Sequence, residues 1–486
     1  MPRGVLGREA ESGVLEAFLD QPGPGLAFLT GPRGTGKTTL AAEGLRGREA
    51  VHFRALPLPA EELLRDFEQT LRAVLGEVPG PRTPGLLPLP GPEARWEALL
   101  TGIVDRAEGD RPLILALDGA EHLTGAHRRW GPSLAGAVAL ARERGAPLKV
   151  VVVGRRGEVL KEALGLTSGP PGPDTELELG PLPYRTAGWA HGARSAEEAF
   201  LLWAVFGDHA AHLPPEGSQD RGRDLGARVV ARTLRPAGDL FDAPLRALEA
   251  TFQRPARYLA LLRTLSEGPL DWSRILERTP GVASGGQLAP YLRRLEEEGF
   301  VQVERPMGSD EGSRNRRYLL RDPFLAFWCG LVLPDRSLLS GLGPEAVWRE
   351  RIRPRLGPHL DRWLARAARR WLRAHASEAL PAPARTVGGL WDDEAEFDAV
   401  AWLENGQVCY GLSRWSDEPL AGDELHRDMT ARMKATRYGI GREARAPLYF
   451  LSGGGDEVLR RQTARNPLSR ILGLEDLMGT EPPPGS

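Results

Sequence analysis

The sequence predicts an α/β protein: a parallel sheet covered by helices comes first, and a further α/β domain comes last. Three observations carry that expectation. Short apolar runs alternate with helical stretches over the first third of the chain. A glycine-rich loop pattern joins one such run to a helix. Near the far end, "AEFDAVAWLENGQVCYGLSRW" (395–415) places two alternating runs around Asn405-Gly406, a strong hairpin signal.

The first run, in "GLAFLTGPRGTGKTTL" (25–40), ends in Gly31-Pro32-Arg33-Gly34-Thr35-Gly36-Lys37-Thr38, a full match to the P-loop pattern, with Thr39 following. A buried strand before the motif and a helix after it supply the context it needs. Glycines let backbone N–H groups turn inward on phosphates without a Cβ in the way, and the helix N-terminus adds its dipole. Lys37 is expected to reach the β/γ-phosphates and the Thr38 hydroxyl to complete a Mg²⁺ shell. The implied cofactors are therefore ATP and Mg²⁺.

A P-loop requires a second strand that ends in an acid, and "RPLILALDGAEHL" (111–123) ends its apolar run in Asp118. That carboxylate is expected to hold Mg²⁺ through a water. Many hydrolysing relatives carry Glu directly after it, where this chain has Gly119. Glu121 is then the nearest candidate to polarise water, or else an N-terminal residue of the next helix. A third run, "LKVVVVG" (148–154), leads to Arg155, a γ-phosphate sensor or a partner for surface acids. With "AVHFRAL" (50–56), the strands alternate with helical stretches at 37–47, 60–76, 93–108 and 126–144, so nucleotide belongs at the C-terminal strand ends. "PGPRTPGLLPLPGP" (79–92) reads as an exposed loop.

Composition narrows the class. Over 486 residues, 41% hydrophobic and 26% charged content with a net charge of −2 fit a globular protein of several domains. No global field draws it to nucleic acid or anionic membrane. Two distant cysteines, Cys329 and Cys409, exclude a disulfide scaffold, and the longest apolar run, 324–334, is too short to span a bilayer. The opening residues lack a leader's apolar core, so a cytoplasmic protein is expected.

After residue 184 the pattern turns helical. "SAEEAFLLWAVFGDHAAHL" (195–213) reads as an amphipathic helix, and 257–322 as a winged helix: three helices, the strand "VQVERP", a polar wing and the strand "RYLLRD". Arg293 and Arg294 on the third helix are offset by Glu296, Glu297 and Glu298, so Arg305, Arg314, Arg316 and Arg317 of the wing are the basic footprint. DNA contact and plain packing are both open.

"LGREAE" (6–11), the P-loop, the Asp118 strand, "WAVFGDHAAHL" (203–213) and above all "RYLLRDPFLAFWCGLVLPDRS" (317–337) resemble the archaeal-type, STAND-like P-loop ATPases over almost the whole chain. The resemblance implies a P-loop ATPase core (1–182), helical lid (183–250), winged-helix domain (251–335), restriction-endonuclease-like domain (336–476) and a disordered tail (477–486). It also implies Gly7, Arg8 and Glu9 near the adenine. Gly119 and Asp208, where relatives usually carry a second Gly, depart from the pattern.

In the last domain, "HLDRWLARAARRWLRAH" puts Leu360, Trp363, Leu364, Ala367, Trp371 and Leu372 on one helical stripe, with its arginines expected mainly on a solvated face. Working nucleases of this resemblance use a helix Glu, a strand Asp and Glu-x-Lys. Here those positions hold Leu364, Asp398, Leu412 and Arg414. Leucine cannot ligate Mg²⁺ and arginine does not give up its proton near neutrality, so nuclease activity is expected to be absent. A two-residue turn pairs Asp398 with Ser413. A one-residue bulge aims it at Leu412 and Arg414, where an ion pair replaces metal. The reading is an ATP-driven, slowly hydrolysing switch acting on a protein partner or another copy, with DNA as the rival partner through the winged helix.

Overall fold

The computed structural model describes residues 5–76, 91–107, 112–126, 129–166, 172–214, 222–310, 312–392, 394–436 and 445–483. The chain forms two compact units, residues 1–182 and 183–484. Most of the proline-rich segment 79–92 lies outside the described residues.

The first unit is built on a parallel sheet of order β2-β3-β4-β1-β5, with strands β1 (Gly25–Thr30), β2 (Ala50–Arg54), β3 (Leu113–Asp118), β4 (Leu148–Val153) and β5 (Thr175–Glu178). Every residue of β1, β3 and β4 is buried, as continuous apolar runs require when both faces are covered. Leu26 and Phe28 face one layer, with α3 (Ala60–Leu75), α4 (Gly91–Arg106) and α6 (Trp130–Arg144). Ala27 and Leu29 face the other, with α1 (Glu9–Asp20) and α2 (Lys37–Leu45). The aromatic trio Phe53, Phe67 and Trp96 fastens α3 and α4 to β2, with ring centroids 5.0 and 4.7 Å apart in sequence. Two short helices, α5 (Ala120–Ala126) and α7 (Gly157–Ala163), follow β3 and β4 directly.

The second unit begins with α8 (Tyr184–Ala190) and α9 (Ala196–Phe206). The sequence suggested that α9 is amphipathic, but Leu202 through Phe206 are all at most 1% exposed. A helix apolar on all sides is a central one. Helices Pro255–Leu265, Trp272–Arg278 and Gly285–Glu297 precede an antiparallel hairpin of β6 (Val301–Glu304) and β7 (Arg317–Leu320), and Leu270 bridges to Tyr318 as a third rung. The final part is a mixed sheet, β12-β11-β10-β9-β8, of β8 (Ala384–Trp391), β9 (Glu396–Leu403), β10 (Val408–Arg414), β11 (Arg445–Leu451) and β12 (Arg470–Leu472). The long helix Leu356–Ala379 lies on β8, β9 and β10 through the expected stripe, and Leu364 is fully buried.

One alternative left open for this unit is decided in favour of the one-residue bulge, and two expectations need correction. The hairpin register pairs Val408 with Trp402 and Gly411 with Ala399, so the loop is three residues long, Glu404-Asn405-Gly406. Gly406 sits at φ +84° and its N–H donates to Leu403 O, the geometry of a three-residue turn with a glycine bulge. Of the arginines expected on a solvated face of the long helix, Arg373 is exposed but Arg362, Arg366, Arg369 and Arg370 are half-buried. Arg366 and Arg369 turn inward toward the β6–β7 hairpin, where Arg366 Nη1 donates to Leu320 O at 2.9 Å and Arg369 Nη1 to Glu304 at 2.6 Å. Nor does a disordered tail begin at 477, because helix Leu474–Met478 buries Leu477 and Met478 completely. Tyr184 Oη donates to Leu477 O (2.7 Å) and Trp189 Nε1 to Met478 O (2.9 Å), so the segment is bound to α8.

Candidate functional site

The glycine-rich loop joins the C-terminal end of β1 to α2. Gly31, Gly34 and Gly36 take φ values of +139, +78 and +92°, where a side chain is strained. A Cβ on Gly31 would lie 2.2 Å from Leu179 O, so that position admits only glycine. Lys37 Nζ donates to Gly31 O (2.8 Å) and Pro32 O (2.6 Å), across the hollow of the loop. Burial pulls this ammonium down to about 8, against the attraction of Glu121 and Asp118. A desolvated cation resting on carbonyls of its own loop gains much from an arriving phosphate.

Asp118 ends β3, two strands away from β1 because β4 lies between them. Even so, Thr38 Oγ1 donates to Asp118 Oδ2 at 2.7 Å. The hydroxyl and carboxylate that would hold Mg²⁺, Thr38 directly and Asp118 through water, therefore already meet. Their donor set, two hard oxygens at the mouth of a phosphate loop, fits that ion.

Gly119 explains why the usual glutamate is missing. Its φ is +79°, and a Cβ there would stand 2.8 Å from Ala55 O. The nearest acid lies two positions on. Glu121 is the second residue of α5, and its Oε1 accepts from Arg155 Nε at 3.1 Å. Its Oε2 is buried without a hydrogen-bond partner. Arg155 thus pairs with an acid, but one beside the loop, and its own carbonyl accepts from Gly31 N (3.2 Å). Both alternatives left open for Arg155 and for Glu121 are compatible with this arrangement.

Of the N-terminal trio, Arg8 is the one joined to the loop. It is buried, donates to Thr35 O (3.2 Å) and to Gly180 O, and is countered by Glu11 at 2.8 Å. Gly7 turns the chain at φ +63°, while Glu9 is exposed in the first turn of α1. Thr35 is buried, its Oγ1 bonding Pro32 O at 2.9 Å, whereas Arg33 and Thr39 are exposed. Sequence reasoning missed His52, whose Nε2 lies 3.9 Å from Asp118 Oδ2. Only the pairing of β2 beside β3 reveals it.

At the hairpin in the second unit, Asp398 and Ala399 together lie against the single Gly389 where the β8–β9 register shifts. Its Oδ2 accepts from Ser413 N at 2.8 Å and lies 3.7 Å from Arg414 Nη1. The β9–β10 ladder ends at the Ala399–Gly411 pair, so this carboxylate takes over the acceptor that the next main-chain rung would supply. Burial raises its carboxyl above the ordinary range, opposed by that bond and by Arg414. Among the described residues, no group of three or more His, Cys, Asp or Glu is placed to hold a metal ion, and no helix is long and apolar enough to cross a membrane.

Asp208, the other departure, is 1% exposed and paired with Arg370 at 3.0 Å. The connection between β6 and β7 is docked rather than free. Met307 N donates to Gly389 O (2.8 Å), Trp391 Nε1 to Asn315 (2.8 Å), and Arg317 makes a two-pronged bond to Glu396 at 2.5 and 3.2 Å.

An uncharacterized protein of Methanocaldococcus jannaschii is 23% identical over 187 residues, which span 38% of this chain and 41% of that protein's own length. Among solved structures, a Walker-type ATPase of Pyrococcus abyssi is similar at 20% identity and TM-score 0.44, over 67% of this chain and 96% of that one. Orc1 of Aeropyrum pernix, solved with DNA, is similar at 18% identity and TM-score 0.33, over 67% and 92%. Residues 4–153, which hold the P-loop, Asp118 and Glu121, match the model of the AAA ATPase domain.

Proposed function

We propose that the chain is an ATP-binding, slowly hydrolysing molecular switch, whose nucleotide state in the first unit governs what the second unit offers to a protein partner or to another copy of itself. The observation that carries this reading is the 2.7 Å bond between Thr38 and Asp118, beside a lysine laid across the loop. Lys37 and the loop N–H groups would bind the β- and γ-phosphates, with Thr38 and Asp118 holding Mg²⁺, which when bound neutralises phosphate charge. Arg8 would keep the loop in shape from the Thr35 carbonyl, near the base.

Glu121 would accept a proton from water at its unpartnered Oε2, while Arg155 holds the other oxygen. A carboxylate oriented by a guanidinium is a weak base, which accords with slow turnover. Residues 251–335 would serve as a winged helix used for packing, because its wing is occupied by β8 and β9. Residues 336–476 would be a restriction-endonuclease-like domain whose Asp398 now does structural work.

The test is ATP binding and turnover with Lys37→Ala and Glu121→Gln proteins. Lys37→Ala should weaken ATP binding at least tenfold. Glu121→Gln should bind ATP as wild type does and lose most of its turnover. Unchanged ATP affinity in Lys37→Ala would refute the proposal.

A further inference from the structure

A cavity of about 170 Å³ opens in the second unit between the long helix, the β6–β7 hairpin and strands β8 and β9. Its walls carry four guanidiniums, Arg317, Arg362, Arg366 and Arg369, against three carboxylates, Glu304, Glu396 and Asp398. Two of these cations are neutralised in place. Arg317 is held by Glu396, and Arg369 by Glu304 at 2.6 Å. Asp398 is engaged by Ser413 N and Arg414.

Arg362 and Arg366 have only main-chain acceptors. Arg362 Nη1 donates to Glu267 O at 2.6 Å and Arg366 Nη1 to Leu320 O at 2.9 Å. No carboxylate among the described residues lies within ion-pair distance of either. Burial draws Arg366 down to about 9 against the attraction of Glu304 and Asp208, with Arg370 and Arg369 adding to the fall, which still leaves it charged near neutrality. Arg369 adds a buried Nε with no acceptor. Glu304 and Asp208 act on Arg366, and Asp361 and Glu267 on Arg362, only from beyond ion-pair distance, so desolvating both cations without a bonded counter-charge is unfavourable unless an anion completes the site.

The shape narrows the class of anion. Arg366 stacks on Trp363 at 5.0 Å, a contact that spends its face and leaves the planar edge to donate, the arrangement suited to an oxyanion. Leu265, Leu319, Ala326 and Phe397 make much of the remaining wall apolar. The volume is small beside the roughly 300–1,000 Å³ of drug-sized ligand pockets, which excludes a nucleic-acid strand or a peptide helix.

We propose that this cavity binds a small phosphate-class oxyanion, either inorganic phosphate or a short phosphate monoester, on Arg362 and Arg366 with Arg369 Nε as a further donor. All of these residues belong to the second unit, so the site does not depend on nucleotide binding at the P-loop. The ligand would bridge the three-helix segment and the final sheet, since Glu267 and Leu320 anchor from one side and the long helix from the other.

The test is calorimetric titration of the full chain, with ADP and Mg²⁺ in excess, by inorganic phosphate and separately by glycerol 3-phosphate. Wild type should bind one of them at one site. Arg366→Gln and Arg362→Gln should each weaken it at least tenfold, and the exposed Arg293→Gln should leave it unchanged. Tighter binding of the ester than of phosphate identifies a monoester ligand, and the reverse identifies free phosphate. Should Arg366→Gln fail to fold, Arg362→Lys keeps the charge but loses the fork, and a threefold or greater loss is expected. Equal affinity in wild type and both glutamine variants, or no heat from either probe at 10 mM, about 100-fold above a Kd of about 0.1 mM, overturns the proposal.

Discussion

Restoring the missing glutamate should damage the protein without speeding it. Gly119 occupies φ +79°, and a Cβ there would lie 2.8 Å from Ala55 O, a main-chain atom that cannot rotate away. A non-glycine residue in the left-handed region costs roughly 1–2 kcal/mol. Displacing the β2–α3 connection, whose Ala55 N bonds Asp118 O at 2.8 Å, adds of the order of 1 kcal/mol. Gly119→Glu and Gly119→Ala should therefore both lose about 2–3 kcal/mol. At about 2–4 °C per kcal/mol for a unit of this size, the first transition drops by roughly 4–12 °C. Thermal unfolding with and without ATP, run beside steady-state phosphate release, measures both quantities. Since alanine carries the strain without the carboxylate, the difference between the two variants isolates any catalytic gain, expected to be nil. A Gly119→Glu protein as stable as wild type, or one that hydrolyses ATP faster, would refute the steric account.

Further expectations follow from buried charges and caps. Lys37 is lowered to about 8, so ATP affinity should hold below that pH and weaken as pH rises through it, by up to about tenfold per unit, in equilibrium titrations between pH 7 and 10. Asp322 caps helix Pro323–Phe327 through Phe324 N and Leu325 N, and burial raises it to about 6. Its folded value lies above the unfolded one, so its contribution is fully present below about pH 4 and lost as pH climbs through 6. The size is about 3 kcal/mol, and Asp322→Asn should flatten that slope in urea titrations. Asp398→Asn should keep the acceptor for Ser413 N and cost little, whereas Asp398→Ala should cost about 1–3 kcal/mol by chemical denaturation. Deleting the chain from Leu474 onward removes two fully buried side chains and should destabilise the second unit by about 3–6 kcal/mol.

How much the sequence disclosed depended on where each constraint acts. The phosphate loop was legible because its requirement is local: three glycines with positive φ, a lysine and a threonine, at fixed offsets. The Asp118 strand was legible because continuous burial leaves a continuous apolar run. The register of the late hairpin was not, since Asn-Gly serves a two-residue or a three-residue turn, and the choice rests on strands packed around it. The long helix disclosed its apolar stripe but not the fate of its arginines. A period of 3.6 marks which residues share a face, and says nothing about whether a hairpin from elsewhere in the chain will cover it. For α9 the same blindness ran the other way: apolar residues all round were taken for one buried face.

The docked β6–β7 hairpin has a further consequence for the chain's behaviour in solution. Strand β8 is the last of its sheet, and an unpaired strand edge invites pairing with another molecule. The bond from Met307 N to Gly389 O occupies an edge carbonyl, and the Asn315–Trp391 and Arg317–Glu396 contacts lay polar side chains along the same border. The hairpin thereby acts as a guard against edge-to-edge aggregation. Any movement that lifted it would expose that strand edge to pairing.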